Sequence, residues 1–235
     1  LCKVNWQKYA DRHGYDIICI SNPLDDSERA QKRSPCWQKC LILGEESVQK
    51  YDRVVWVDAD VLINWANAPC IVEGVAVDQV GAAPEWATPN EQLSAEARDR
   101  LFETWGITDE KNERATYAKY GILPEFDRIV QDGIMVLSPS HHRSILEKVY
   151  HECEETGFGE MPWLSYELLK ADRVQWIDPR FSTVWNVHKA LYYPFLLQKP
   201  QTSASLLNRA KSKLLAKGLR RSSLTGGLAS VRRRL

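Results

Sequence analysis

The sequence predicts an α/β domain on a central mixed, mostly parallel sheet flanked by helices, and three observations carry that prediction. Residues 53–63 contain four consecutive β-branched or aromatic residues, Val54 to Val57, the composition of a strand buried on both faces. Residues 131–137, Gln-Asp-Gly-Ile-Met-Val-Leu, are polar at their start and apolar after, as a second central strand would be. Around these, helical spacing alternates with short apolar runs, and strands alternating with helices imply crossover connections and parallel pairing.

Each element has a local reason. Val4, Trp6, Tyr9 and Ala10 have helix-like spacing over residues 3–12, and Gly14 is a C-cap signal. Tyr15 to Ile20 reads as a strand stopped by Asn22-Pro23, and the charged stretch 24–33 reads as loop. Ser34-Pro35 is a helix start, with Ser as N-cap, and Trp37, Cys40, Leu41, Gly44 and Val48 then share one face. After the 53–63 strand, Gln79 to Ala83 reads as a short strand and 84–92 as a Pro-containing loop. Ser94 begins a helix with Ala97, Leu101 and Trp105 inward and Gly106 at its end. Asp109 to Tyr120 is a charge-laced helix or excursion, closed by Gly121 and Pro124. Ser138-Pro139-Ser140 opens a helix to about Glu155, with His141 and His142 exposed at its start. A helix over 163–170, a strand over Val174 to Ile177 and a turn over Pro179 to Trp185 complete the domain, taken as residues 1–200.

Net charge is zero, but residues 201–235 hold no acidic residue and nine basic ones, so this stretch reads as a basic tail or helix. Leu206, Leu207, Ala210, Leu214 and Leu215 form a helical stripe in it, which fits peripheral contact with an anionic membrane; a solvated end is the plainer alternative. Nucleic acid is not expected as a partner, because no interleaved aromatics accompany the charge. The six cysteines are scattered in apolar surroundings, which favours reduced thiols and a cytoplasmic setting. Cys36 and Cys40 lack the neighbours a zinc site needs. No run of about 18 apolar residues and no signal-peptide pattern occurs. The chain begins at Leu1 rather than Met, which leaves a Golgi lumen open.

The chemistry concentrates at Asp58 and Asp60. Residues i and i+2 of an extended chain share a face with Cα atoms about 6.5–7 Å apart, so two like charges there call for a cation or for water. Hard carboxylate oxygens suit Mg or Mn carrying a phosphate. Two solvated carboxylates in a strand-end turn are the bland alternative.

In order along the chain, His13-Gly14-Tyr15-Asp16, Trp37-Gln38-Lys39, Tyr51 to Leu62, and Gly133 to Ser140 resemble the GT-A glycosyltransferases, nearest the glycogenin-like and galactosyltransferase-like branches. Trp163-Leu164-Ser165-Tyr166 and Ile177 to Phe181 match more weakly, and the resemblance covers about residues 2–187. It implies a GT-A-like fold lacking its first strand. It also implies a hexosyltransferase with a D-x-D motif at Asp58-Ala59-Asp60, using a nucleotide-diphosphate sugar, UDP-linked by preference, and Mn2+ or Mg2+. The acceptor would be a hydroxyl on a glycan, lipid-linked sugar or protein. Asp58 and Asp60 would hold the metal against the diphosphate, and Lys39 would contact donor phosphate or sugar. Gln131 and Asp132 would border the sugar ring, and Glu160 would meet sugar or acceptor hydroxyls. Asp132 or Glu160 would serve as base in an inverting reaction, although the nearest resemblances retain configuration. The family's late metal histidine is not recognisable; His188 and Lys199-Pro200 have the wrong spacing. Two alternatives stand beside this: a nucleotide-sugar-binding protein without turnover, and a haloacid-dehalogenase-like phosphatase with Asp58 as nucleophile.

Overall fold

The computed structural model describes residues 2–108, 112–197 and the backbone of 228–232. The chain runs α1 (Cys2–His13), β1 (Tyr15–Cys19), α2 (Glu28–Lys32), a 3-10 segment (Pro35–Gly44), α3 (Glu46–Gln49), β2 (Val54–Val57) and β3 (Val80–Pro84). It continues through α4 (Glu91–Trp105), α5 (Glu113–Lys119), β4 (Val130–Leu137), α6 (Pro139–Glu152), α7 (Met161–Lys170), β5 (Val174–Trp176), α8 (Trp185–Tyr192) and β6 (Leu228–Arg232).

These strands form one mixed sheet in the order β1-β6-β2-β4-β3-β5, in which the run β2-β4-β3-β5 carries the candidate site. The expectation of a mostly parallel sheet is corrected here. Only β3 and β5 pair in parallel; β1–β6, β2–β6, β2–β4 and β3–β4 are antiparallel. It follows that β1, β2, β3 and β5 point the same way, with β4 and β6 inserted against them. Alternation along the sequence fixes neither neighbour nor direction, because an inserted strand reverses pairing without changing the local pattern. β6 comes from the stretch expected as a basic tail, and its backbone pairs with both β1 and β2. The apolar stripe at 206–215 lies outside the described residues.

Both faces of the sheet are covered, which is why all four residues of β2 are buried. On one face Val54, Trp56, Val80, Met135 and Leu137 pack with Trp37, Ile42, Leu43, Leu146 and Leu164, from the 3-10 segment, α6 and α7. On the other, Val55, Val57, Ile134 and Val136 meet Trp6 and Tyr9 of α1 and Ile71, Val72 and Val75 of the long β2–β3 connection.

The punctuation read from sequence holds at several ends. Gly14 and Gly106 take left-handed φ of 72° at the ends of α1 and α4. The Ser34 hydroxyl accepts from the Cys36 N–H, with Pro35 at the first position. Other details differ. Asn90, not Ser94, caps α4 by accepting from the Leu93 N–H at 2.9 Å, and Trp105 is exposed. The 24–33 stretch contains α2, and α8 was not foreseen. His142 is fully buried, its Nδ1 accepting from the Ser138 N–H at 2.9 Å, which corrects its expected exposure.

Candidate functional site

Asp58 follows β2 directly. Its N–H donates to the Gly133 carbonyl at 2.8 Å, carrying the ladder one residue past the strand, and the Val61 N–H then closes a turn onto the Asp58 carbonyl at 3.1 Å. Contrary to expectation, Asp58 and Asp60 therefore do not share a face of an extended strand: the strand ends before them. In that turn Ala59 and Asp60 are exposed, while Asp58 is drawn inward. Trp56, two residues earlier on the same face, donates its indole N–H to Asp58 Oδ1 at 2.6 Å.

Opposite stands Lys39, on the 3-10 segment whose start Ser34 and Pro35 define. Its side chain is only 3% exposed, and its Nζ lies 3.3 Å from Asp58 Oδ1, 3.2 Å from Asp132 Oδ1 and 3.0 Å from Glu160 Oε1. Three acids singled out in the sequence thus meet around the buried ammonium of a fourth such residue, Lys39. The three carboxylates overcome the cost of burial and raise the lysine well above its ordinary range.

Asp132 reaches this point through a bulge. Ala82 of β3 faces Met135, but the adjacent Ala83 faces Gln131, so β4 carries residues 132–134 as an excursion. A bulge re-aims the side chains within it. The Gly133 N–H donates to the Gln131 side-chain oxygen at 2.8 Å, so Gln131 braces the bulge. A Cβ on Gly133 would stand 3.0 Å from that oxygen and 3.5 Å from Asp58 Oδ2, and glycine gives the close approach the site needs.

Glu160 precedes α7, is 2% exposed and caps no helix N–H, so its carboxylate is available to Lys39. Asp132 Oδ2 and Glu160 Oε2 have no conventional donor. Burial pushes Asp132 up; the Lys39 ammonium opposes this, Glu160 reinforces it, and the result is about 7. Asp58 is also raised by burial, with Lys39 again opposing, but about a third of its side chain stays exposed.

Glu155 was missed as a functional residue. Its Oε2 accepts from the Ser34 N–H at 2.8 Å and the Trp37 indole at 2.9 Å. Its Oε1 accepts from the N–H groups of Gly157 at 2.9 Å and Gly159 at 3.3 Å. Burial raises this carboxyl, but those donors outweigh it and hold it below the usual range. One side chain thereby ties the segment bearing Lys39 to the loop bearing Glu160. The faint signal was an acid just before a Gly-Phe-Gly run, whose amides need an acceptor. Glu155→Gln turns an amide NH2 toward two of these donors and is expected to cost about 1–3 kcal/mol. Urea unfolding, with hydrogen exchange at Gly157 and Gly159, checks this; unchanged stability and protection would remove the hub role.

Among the described residues, no group of three or more His, Cys, Asp or Glu is arranged to hold a metal ion. His188 packs against Tyr192 with ring centroids 5.0 Å apart. For a divalent cation, the matching donors are the exposed part of Asp58 and the exposed Asp60 in the next turn positions. Asp60 and the exposed edge of Asp58, beside Lys39, Asp132 and Glu160, offer hard oxygen donors of the kind a divalent cation takes.

No protein-family model, no curated protein and no solved structure matches the chain. Among the described residues, no helix is long and apolar enough to cross a membrane.

Proposed function

We propose that this protein is a GT-A-like, metal-dependent glycosyltransferase that moves a hexose from a nucleotide-diphosphate sugar, UDP-linked by preference, to an acceptor hydroxyl. One observation carries the reading: Lys39, Asp58, Asp132 and Glu160, each singled out by the family resemblance, converge at one end of the sheet. Ligands in open α/β sheets bind beyond the carboxyl ends of strands, which is where Asp58 stands.

The burial pattern divides the labour. Asp58 and Asp60 are the residues that would hold Mn2+ or Mg2+, which when bound offsets charge growing on the leaving diphosphate. Lys39 is enclosed, so it acts as a positioning residue that fixes the Asp58 carboxylate rather than touching donor phosphate. Asp132 and Glu160 are enclosed with it and hold the ammonium in place. With neither carboxyl open to an acceptor, retention of configuration is the better match. In that course the acceptor oxygen bonds to the anomeric carbon while the bond from that carbon to the diphosphate breaks. The electron pair leaves on the diphosphate, and the acceptor's proton passes to its oxygen.

The test is hydrolysis of a panel of UDP- and GDP-sugars with Mn2+, read as released nucleoside diphosphate. Turnover reduced about 100-fold or more in Asp58→Ala and in Asp60→Ala is expected. Metal-independent binding without turnover would overturn the enzyme in favour of a binding protein, and phosphate release from simple phosphoesters would favour a phosphatase.

A further inference from the structure

A cavity of about 340 Å³ opens at the same end of the sheet, beyond β3 and the start of β4. It falls at the lower end of the range of about 300–1,000 Å³ typical of small-molecule sites. Four aromatic rings line it: Trp86, Phe102, Trp105 and Phe158. Trp86 stands edge-on to Phe102 at 5.7 Å and is held at φ 57°, a left-handed backbone that tryptophan rarely adopts. Trp105 and Phe158 are 45% and 44% exposed, so ring surface is open to solvent.

The remaining wall mixes aliphatic side chains, Ile107, Ile129 and Val184, with polar ones. Arg98 and Glu113 pair at 3.0 Å and are largely buried, and Glu85 and Asn186 add an acid and an amide. Flat apolar rings together with carboxylate, guanidinium and amide groups are the complement of a pyranose. A sugar ring offers a C–H face for an aromatic surface and hydroxyls that both donate and accept. A purely lipidic ligand would leave the charged pair unused and its desolvation unrepaid.

Two short stretches of chain link the cavity to the candidate site. Phe158 lies two residues before Glu160, on the loop that Glu155 fastens. Ile129, another lining residue, accepts from the Glu85 N–H at 2.8 Å and leads directly into the strand bearing Asp132. We propose that this cavity is the acceptor subsite and that the acceptor is a carbohydrate, bound against Trp86, Trp105 and Phe158. This rests on the glycosyltransferase reading, in which the hydroxyl attacking the anomeric carbon must lie beside Asp58.

Binding can be measured without any donor. Maltose, lactose and chitobiose are titrated into the full chain, followed by tryptophan fluorescence and saturation-transfer NMR, while hydrolysis of UDP-sugars with Mn2+ is assayed separately. At least one disaccharide is expected to bind, with affinity about ten-fold weaker in Trp105→Ala and in Phe158→Ala, the loss of one stacked ring. Trp65→Ala, which removes another partly exposed indole remote from this cavity, is expected to bind as wild type. Both cavity variants truncate exposed rings, and a matching circular-dichroism melt verifies that they fold. Donor hydrolysis with no sugar binding, or binding unaltered in both variants, overturns the acceptor proposal and leaves the transferase standing. Sugar binding lost in the variants but no donor hydrolysis overturns the transferase and with it the acceptor role, while supporting a carbohydrate ligand.

Discussion

Replacing Lys39 with Met is expected to destabilise the protein by about 3–5 kcal/mol at neutral pH, the cost of leaving buried charge without its partner. Methionine keeps much of the length and packing but removes the ammonium that, among the described residues, faces Asp58, Asp132 and Glu160 at 3.0–3.3 Å. The carboxyls must then take up protons to stay buried, and protons become scarcer as pH rises. The deficit is therefore expected to be larger at pH 8 than at pH 5, measured by urea unfolding. A Lys39→Met/Asp132→Asn double variant should recover part of it, since neighbours in one network are not additive. A loss under about 1 kcal/mol, equal at both pH values, would show that the cluster is a surface-like ion pair. Donor hydrolysis should fall as well, because Asp58 would lose the contact that orients it.

Asp132 gives the second large effect, through pH. Its carboxyl is raised from 3.8 to about 7 in the folded chain, so the folded state holds the proton more tightly than the unfolded state does. Protonated Asp132 thus favours folding. Its contribution is fully present below the unfolded value and is lost as pH rises through the folded one. Relative to Asp132→Asn, which cannot ionise, wild type is expected to lose stability steadily between those two values and to level off above about 7. The span is on the order of a few kcal/mol. Urea midpoints of both proteins at several pH values from 4 to 8 read it directly. A difference that stays flat would mean that the Asp132 carboxyl is ionised throughout. The lowered carboxyls of Asp25, Glu155 and Asp178 give the opposite slope in both proteins and cancel in the comparison.

The charges of the site lie in layers. Asp60 and the open edge of Asp58 face outward, Lys39 lies beneath, and Asp132 with Glu160 closes the floor. A buried lysine is expensive, and three acids around it are more than pairing alone requires. In the proposed reaction that excess negative charge is what the metal would balance, with Asp60 and the exposed edge of Asp58 as the donors that face outward.

Much of this was legible in local sequence. The strand at 54–57, the caps at Ser34 and Gly106, and the Ser138-Pro139 helix start depend on neighbours within a few residues. The candidate acids and Lys39 were legible because family-like motifs keep fixed spacing. Less legible were Glu155, whose partners include Ser34 more than a hundred residues away, and Gly133, whose need appears only when Asp58 stands against it. Asn90 outcompeted Ser94 as a cap because its side chain reaches the Leu93 N–H, a choice that propensity alone leaves undecided.

By itself, the sequence determined local features such as the buried strand at Val54–Val57 and the ends marked by Ser34, Gly14 and Gly106, because capping, periodicity and β-branching act over a turn or a strand. Only the tertiary structure decided strand direction, the insertion of residues 228–232 between β1 and β2, and the depth of each charge. Pairing direction depends on which distant strand is accepted as neighbour, and burial on which segments cover the sheet. That is why Asp58 and Asp60, read as an equal pair, became one carboxylate bound to a buried lysine and one left to solvent.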